Sequence, residues 1–128
     1  MDQKLLVGPE IEGAKRLVGL MDKAGLNPRA ALWVYNEDTE IWRLWIVPAP
    51  EIKEKLEFYR RLAVIVSENR ELLGTLDTGS TEFVKESHPA IQGLKGLIRV
   101  ESLSDVRFSN NMLNGFYLPD AIILRMMV

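Results

Sequence analysis

The segment "AALWVYNEDTEIWRLWIVPAP", residues 30–50, constrains the fold more than any other part of the chain. Two β-rich runs flank the polar stretch 36–40, which reads as a hairpin. With Asp38 and Thr39 at the turn, Tyr35 falls opposite Trp42 and Trp33 opposite Leu44. One face then carries Ala31, Trp33, Tyr35, Trp42, Leu44 and Ile46, and the other carries Leu32, Val34, Trp45 and Val47 with Arg43 as its only charge. Such a hairpin has no side to give to water. It belongs inside a sheet covered on both faces, or at an interface between identical subunits. The second option makes Trp33, Trp42 and Tyr35 interface candidates and predicts self-association.

Helices are expected on either side of this hairpin. Pro9, Glu10 and Glu12 open a helix over 9–24, with Ile11, Ala14, Leu17, Val18, Met21 and Ala24 on one stripe; Gly25 and Pro28 stop it. After Pro48 and Pro50, helical spacing runs over 51–73, with Ile52, Leu56, Tyr59, Leu62, Ala63 and Val66 as the buried stripe. A short strand is expected over 81–85. A capping residue before Pro89 then starts a third helix, weakened by Gly93 and Gly96. The C-terminal third reads as two or three strands joined by tight turns at Asn114-Gly115 and Pro119-Asp120. The fold class is α+β: a mainly antiparallel sheet, built from the tryptophan-rich hairpin and the C-terminal strands, with two or three packed helices in a single globular domain spanning 1–128.

Composition bounds the function. The 128 residues are 47% hydrophobic and 27% charged, typical of a folded domain. A net charge of -2 gives no general attraction to nucleic acid. The absence of cysteine removes disulfides, thiol catalysis and thiolate metal sites together. "MDQKLLVGPEIEG" has no apolar core of signal-peptide length, and no apolar run is long enough to span a bilayer, so a cytoplasmic protein without a membrane partner is expected. Neither a Walker pattern nor Gly-x-Gly-x-x-Gly occurs, and no cofactor is expected.

Three arginines stand in otherwise apolar strands: Arg43 in "IWRLWIV", Arg107 in "VRF" and Arg125 after "AIIL". Sharing a sheet face near Trp45, they would form an anion-binding surface with a stacking platform, suited to a carboxylate, a phosphate or single-stranded nucleic acid. The alternative is that each lays its stem on the sheet and pairs with a nearby acid. His88 is the sole histidine and sits at a helix start. With Asp77, Glu82 and Glu86 it makes the constellation that a small hydrolase or nuclease would need. No His-x-x-x-His or other ligand spacing marks a metal site.

"LDTGST", residues 76–81, resembles the active-site run of the pepsin-like and retroviral aspartic proteases, which would make Asp77 a carboxylate sharing a proton with a partner aspartate. That family is almost wholly β, whereas the residues before Asp77 are the most helical in the chain. No supporting apolar-apolar-Gly element follows. The match is coincidental, and 77–80 reads as a turn. More broadly, "ALWVYNEDTEIWRLWIVPA" ahead of a helix with "YRRL" and a late "NGFYLPDAIILR" resembles a group of small uncharacterised bacterial proteins. The resemblance implies a bacterial cytoplasmic protein and transfers no site residue. The resulting expectation is a non-catalytic module that binds a partner or a small anion, with the hydrolase or nuclease as the alternative.

Overall fold

The computed structural model describes residues 8–128. Residues 1–7, most of the stretch from which the lack of a signal peptide was read, lie outside them. Among the described residues, four α-helices and a five-stranded sheet make an α+β fold. Helix α1, Gly8–Lys23, buries Ile11, Ala14, Leu17, Val18 and Met21 along one stripe. It ends where Gly25 takes φ 82° and the Leu26 N–H donates to the Met21 carbonyl at 2.9 Å, a closure that a left-handed glycine makes cheaply.

Strands β1, Ala30–Asn36, and β2, Ile41–Val47, pair antiparallel, with Tyr35 opposite Trp42 and Trp33 opposite Leu44. Helix α2, Lys55–Glu68, and the single turn α3, Arg70–Leu73, follow. A 3-10 turn, Thr78–Ser80, then leads into β3, Thr81–Phe83. Helix α4, Pro89–Lys95, precedes the long hairpin of β4, Val106–Leu113, and β5, Phe116–Met126. The strand order is β3-β2-β1-β5-β4.

The sheet is mixed, not mainly antiparallel, because β3 runs parallel to β2. The cause is the connection: α2, α3 and the 3-10 turn carry the chain back along the sheet before β3 begins, which is the crossover a parallel pair requires. A three-residue strand carries too little pattern for its direction to be read from sequence.

Both faces of the sheet are covered. Ala31, Trp33, Leu44, Ile46, Ile122 and Leu124 pack against α1, α2 and Leu73. Ala30, Leu32, Val34, Trp45, Val47, Ala121 and Ile123 pack against Ala90, Ile91 and Leu94 of α4 and against Leu113 and Leu118 of the β4/β5 hairpin. The two apolar faces of β1 and β2 are thus buried within one chain.

Two further expectations need correction. The buried face of α2 is Phe58, Leu62, Ile65 and Val66, while Leu56 is 71% exposed. The helix begins at Lys55 rather than at residue 51, and Phe58 stacks edge-on with Phe83 at 5.4 Å, which rotates the stripe away from Leu56 and Ala63. Asn114-Gly115 is a tight turn, both residues at positive φ, but Pro119 lies inside β5. A proline is tolerated there because pairing with β1 stops at Ala121, so no neighbour on that side asks for its missing N–H.

Candidate functional site

On the α4 side of the sheet, beside the β1/β2 turn, lies an open cleft of about 420 Å³. Its lining includes Arg43, Trp45, Glu82, His88, Phe116 and Tyr117, with Glu37 and Asp38 from the turn. Strand alternation places Arg43 and Trp45 on the same face of β2. The parallel pairing sets Glu82 beside Trp45 on that face. The reversal at Asn114-Gly115 brings Phe116 to the same place.

Three rings meet edge-on in the wall. Trp45 and His88 are 4.9 Å apart, Trp45 and Phe116 5.7 Å, and His88 and Phe116 4.8 Å. Trp45 itself is buried to 7% exposure.

Arg43 is anchored but not spent. Its Nη2 donates to the Thr81 carbonyl at 2.7 Å, and its Nε stands 3.9 Å from a Glu82 oxygen with both side chains about half exposed. Nη1 makes no hydrogen bond among the described residues. The buried Nε has none either.

His88 is the N-cap of α4, and its Nδ1 accepts the backbone N–H of Ala90 at 3.1 Å. The neutral ring therefore carries its proton on Nε2. Desolvation against the ring cluster pushes the His88 pKa below the usual 6.5, and the Glu82 charge only partly opposes that. Near neutral pH the ring is uncharged, with one nitrogen accepting from the backbone and the other protonated. It has a donor to offer, and no free lone pair with which to act as a general base.

The residues singled out from sequence separate in space. Arg43 and Trp45 share the cleft. Arg125 is held elsewhere, its Nη1 and Nη2 donating to the two carboxyl oxygens of Asp22 at 2.9 and 2.8 Å and Nη1 also to the Pro28 carbonyl. Arg107 stands exposed on β4 opposite Ile122, whose side chain belongs to the other core. Trp33 and Tyr35 are buried at 3% and 4% exposure, and Trp42 packs against the α1/α2 core and the Tyr35 ring. Of these three rings only Trp42 is half-buried rather than buried.

Of Asp77, Glu82 and Glu86, only Glu82 accompanies His88 in the cleft. Glu86 pairs with Arg29 at 2.8 Å. Asp77 caps the 3-10 turn: its Oδ1 accepts the Ser80 N–H at 3.1 Å, and its own N–H donates to the Ser80 Oγ. That reciprocal box is a turn device, as "LDTGST" reads without its protease context. Among the described residues no group of three or more acidic, histidine or cysteine side chains is placed to hold a metal ion, and no helix is long and apolar enough to cross a membrane.

Glu37, Asp38, Phe116 and Tyr117 escaped the sequence reading as site residues. The hairpin turn at Asn114-Gly115 was the one signal for the aromatic pair, since it fixes which residues follow at the strand end. No protein-family profile, curated protein or solved structure matches this chain, so the chemistry of the cleft rests on its own geometry.

Proposed function

We propose that the protein is a non-catalytic binding module whose ligand sits in the Trp45 cleft and presents an anionic group to Arg43. The observation that carries this reading is the convergence, in one concave site, of a fixed guanidinium and a histidine whose Nη1 and Nε2–H have no partner among the described residues, and the Trp45/Phe116 wall. A few directed polar groups in an aromatic pocket are the usual make-up of a small-molecule site. The hydrolase or nuclease reading has less support. It needs a base, and the lone histidine is committed at Nδ1 to a helix cap while Asp77 and Glu86 have partners away from the cleft, which leaves Glu82 alone, 3.9 Å from the Arg43 Nε. Self-association through the hairpin has less support, because α1, α2 and α4 cover its two faces within one chain.

A nitrogen-proton correlation NMR screen with small aromatic carboxylates, amines and amino acids tests the site. Saturable shifts confined to the Trp45 indole and to the backbone amides of Glu82, His88 and Phe116 are expected. Shifts centred instead on residues around the Asp22–Arg125 ion pair, or none at all, overturn the reading.

A further inference from the structure

The geometry points to a free α-amino acid with a large apolar side chain as the ligand of this cleft, an inference that rests on the cleft being the binding site. The reason lies in how charge is distributed around it. Arg43 sits in mid-strand, partly buried beside Trp45, and holds its guanidinium in place through Thr81. Its free Nη1 and the Nε2–H of His88 are two donors without partners among the described residues, a pairing suited to a carboxylate.

The mouth carries the opposite charge. Glu37 and Asp38 are exposed residues of the β1/β2 turn, and the turn is fixed by the Asn36 side chain, whose Oδ1 accepts the Asp38 and Thr39 N–H groups at 2.8 and 3.2 Å. With Glu82, the lining sets three carboxylates against one guanidinium, while the histidine is uncharged. A bare anion entering this cleft meets a net negative field. A ligand that also bears an ammonium turns Glu37 and Asp38 from repulsive neighbours into partners.

The third part is apolar. Trp45 and Phe116 stand 5.7 Å apart, ring edge to ring face, and offer a wall against which a large side chain is buried. About 420 Å³ is at the small-molecule end of the pocket range. Carboxylate inward to Arg43 and His88, ammonium outward to Glu37 and Asp38, and side chain on Trp45 and Phe116 together describe an amino acid such as phenylalanine.

The test is an NMR titration of the whole chain with L-phenylalanine, phenethylamine, which lacks the carboxylate, phenylacetate, which lacks the ammonium, and inorganic phosphate. L-Phenylalanine is expected to bind at least tenfold more tightly than either single-charge analogue. Arg43→Gln should weaken L-phenylalanine at least tenfold and leave phenethylamine within twofold. The double variant Glu37→Gln/Asp38→Asn, which changes only exposed turn residues, should weaken L-phenylalanine and phenethylamine but not phenylacetate. If phenylacetate or phosphate fills the cleft as tightly as L-phenylalanine, the amino-acid inference fails and the cleft itself stands as a binding site. If no compound perturbs Trp45 or Phe116, both fail together.

Discussion

Arg125 near the end of β5 grips Asp22 near the end of α1, with two hydrogen bonds of 2.9 and 2.8 Å across 103 positions of sequence. A β-bulge at Ala31/Leu32 sets Arg125 opposite Ala31 and aims it at the helix. The side chains are 12% and 33% exposed, so removing one partner strands a poorly solvated charge. Asp22→Asn should cost about 2–3 kcal/mol by urea unfolding, less than the ~3–5 of a fully buried pair because the carboxylate keeps some water. A double-mutant cycle with Arg125→Met should return a clear coupling energy; additive effects would deny the pair its role.

Tyr59 pins the edge strand. Its hydroxyl accepts the Phe83 N–H at 2.9 Å and donates to the Thr81 carbonyl at 3.4 Å, so one α2 side chain holds both ends of β3. Tyr59→Phe leaves the Phe83 N–H without that acceptor and should destabilise by about 1–2 kcal/mol. Hydrogen exchange at Phe83 should accelerate by more than the global change accounts for. Equal protection in both proteins would show that β3 is held by its ladder alone.

Stability should fall in mild acid through His88. Its folded pKa lies below the unfolded value near 6.5, so the unfolded chain takes up the proton first. The contribution is whole above pH 6.5, declines as the pH drops through the folded pKa, and is flat below it. His88→Asn keeps an N-cap acceptor and removes the titration. Over that window the variant should lose less stability than the parent, and a histidine NMR titration should read a pKa under 6.5; a value above it would contradict the desolvated ring.

Gly93 is a packing residue. A Cβ there would meet the Leu113 Cβ at 2.9 Å and its Cδ2 at 3.0 Å, where α4 lies on the end of β4. Alanine gains about 1 kcal/mol in helix propensity. The overpacking costs about 1–3 kcal/mol, and the contact with a Cβ does not relax by a rotamer change. Gly93→Ala should therefore destabilise by about 1 kcal/mol, read by urea unfolding. A stabilised single variant would show that α4 moves freely on the sheet.

Asp77 should behave as a cap. Asp77→Ala is expected to cost about 0.5–1 kcal/mol, whereas Asp77→Asn keeps an oxygen for the Ser80 N–H and should fall within about 0.5 kcal/mol of the parent. Thermal unfolding of the two variants side by side decides it. Equal losses would mean that the carboxylate charge matters more than the hydrogen bond.

Much of the local order was legible. Pro9 and Gly25 bound α1 because proline and glycine act through their own backbone geometry, and the positive φ of Asn114 and Gly115 closes the β4/β5 hairpin for the same reason. The face of α2 was not legible. Leu56, Tyr59 and Ala63 satisfy helical spacing as well as Phe58, Leu62 and Ile65 do, and only the position of Phe83 on the neighbouring strand decides between them.

The sequence by itself determined the α+β class and the sorting of β1 and β2 into two apolar faces, since strand alternation is a local property. It did not determine that one chain covers both faces, that β3 runs parallel, or that Arg43 lines one cleft with His88, Phe116, Glu37 and Asp38 while Arg125 is claimed by Asp22. Those outcomes depend on which strands become neighbours and on where a bulge and a crossover point each side chain. Such relations join residues far apart in sequence, and only the tertiary structure decides them.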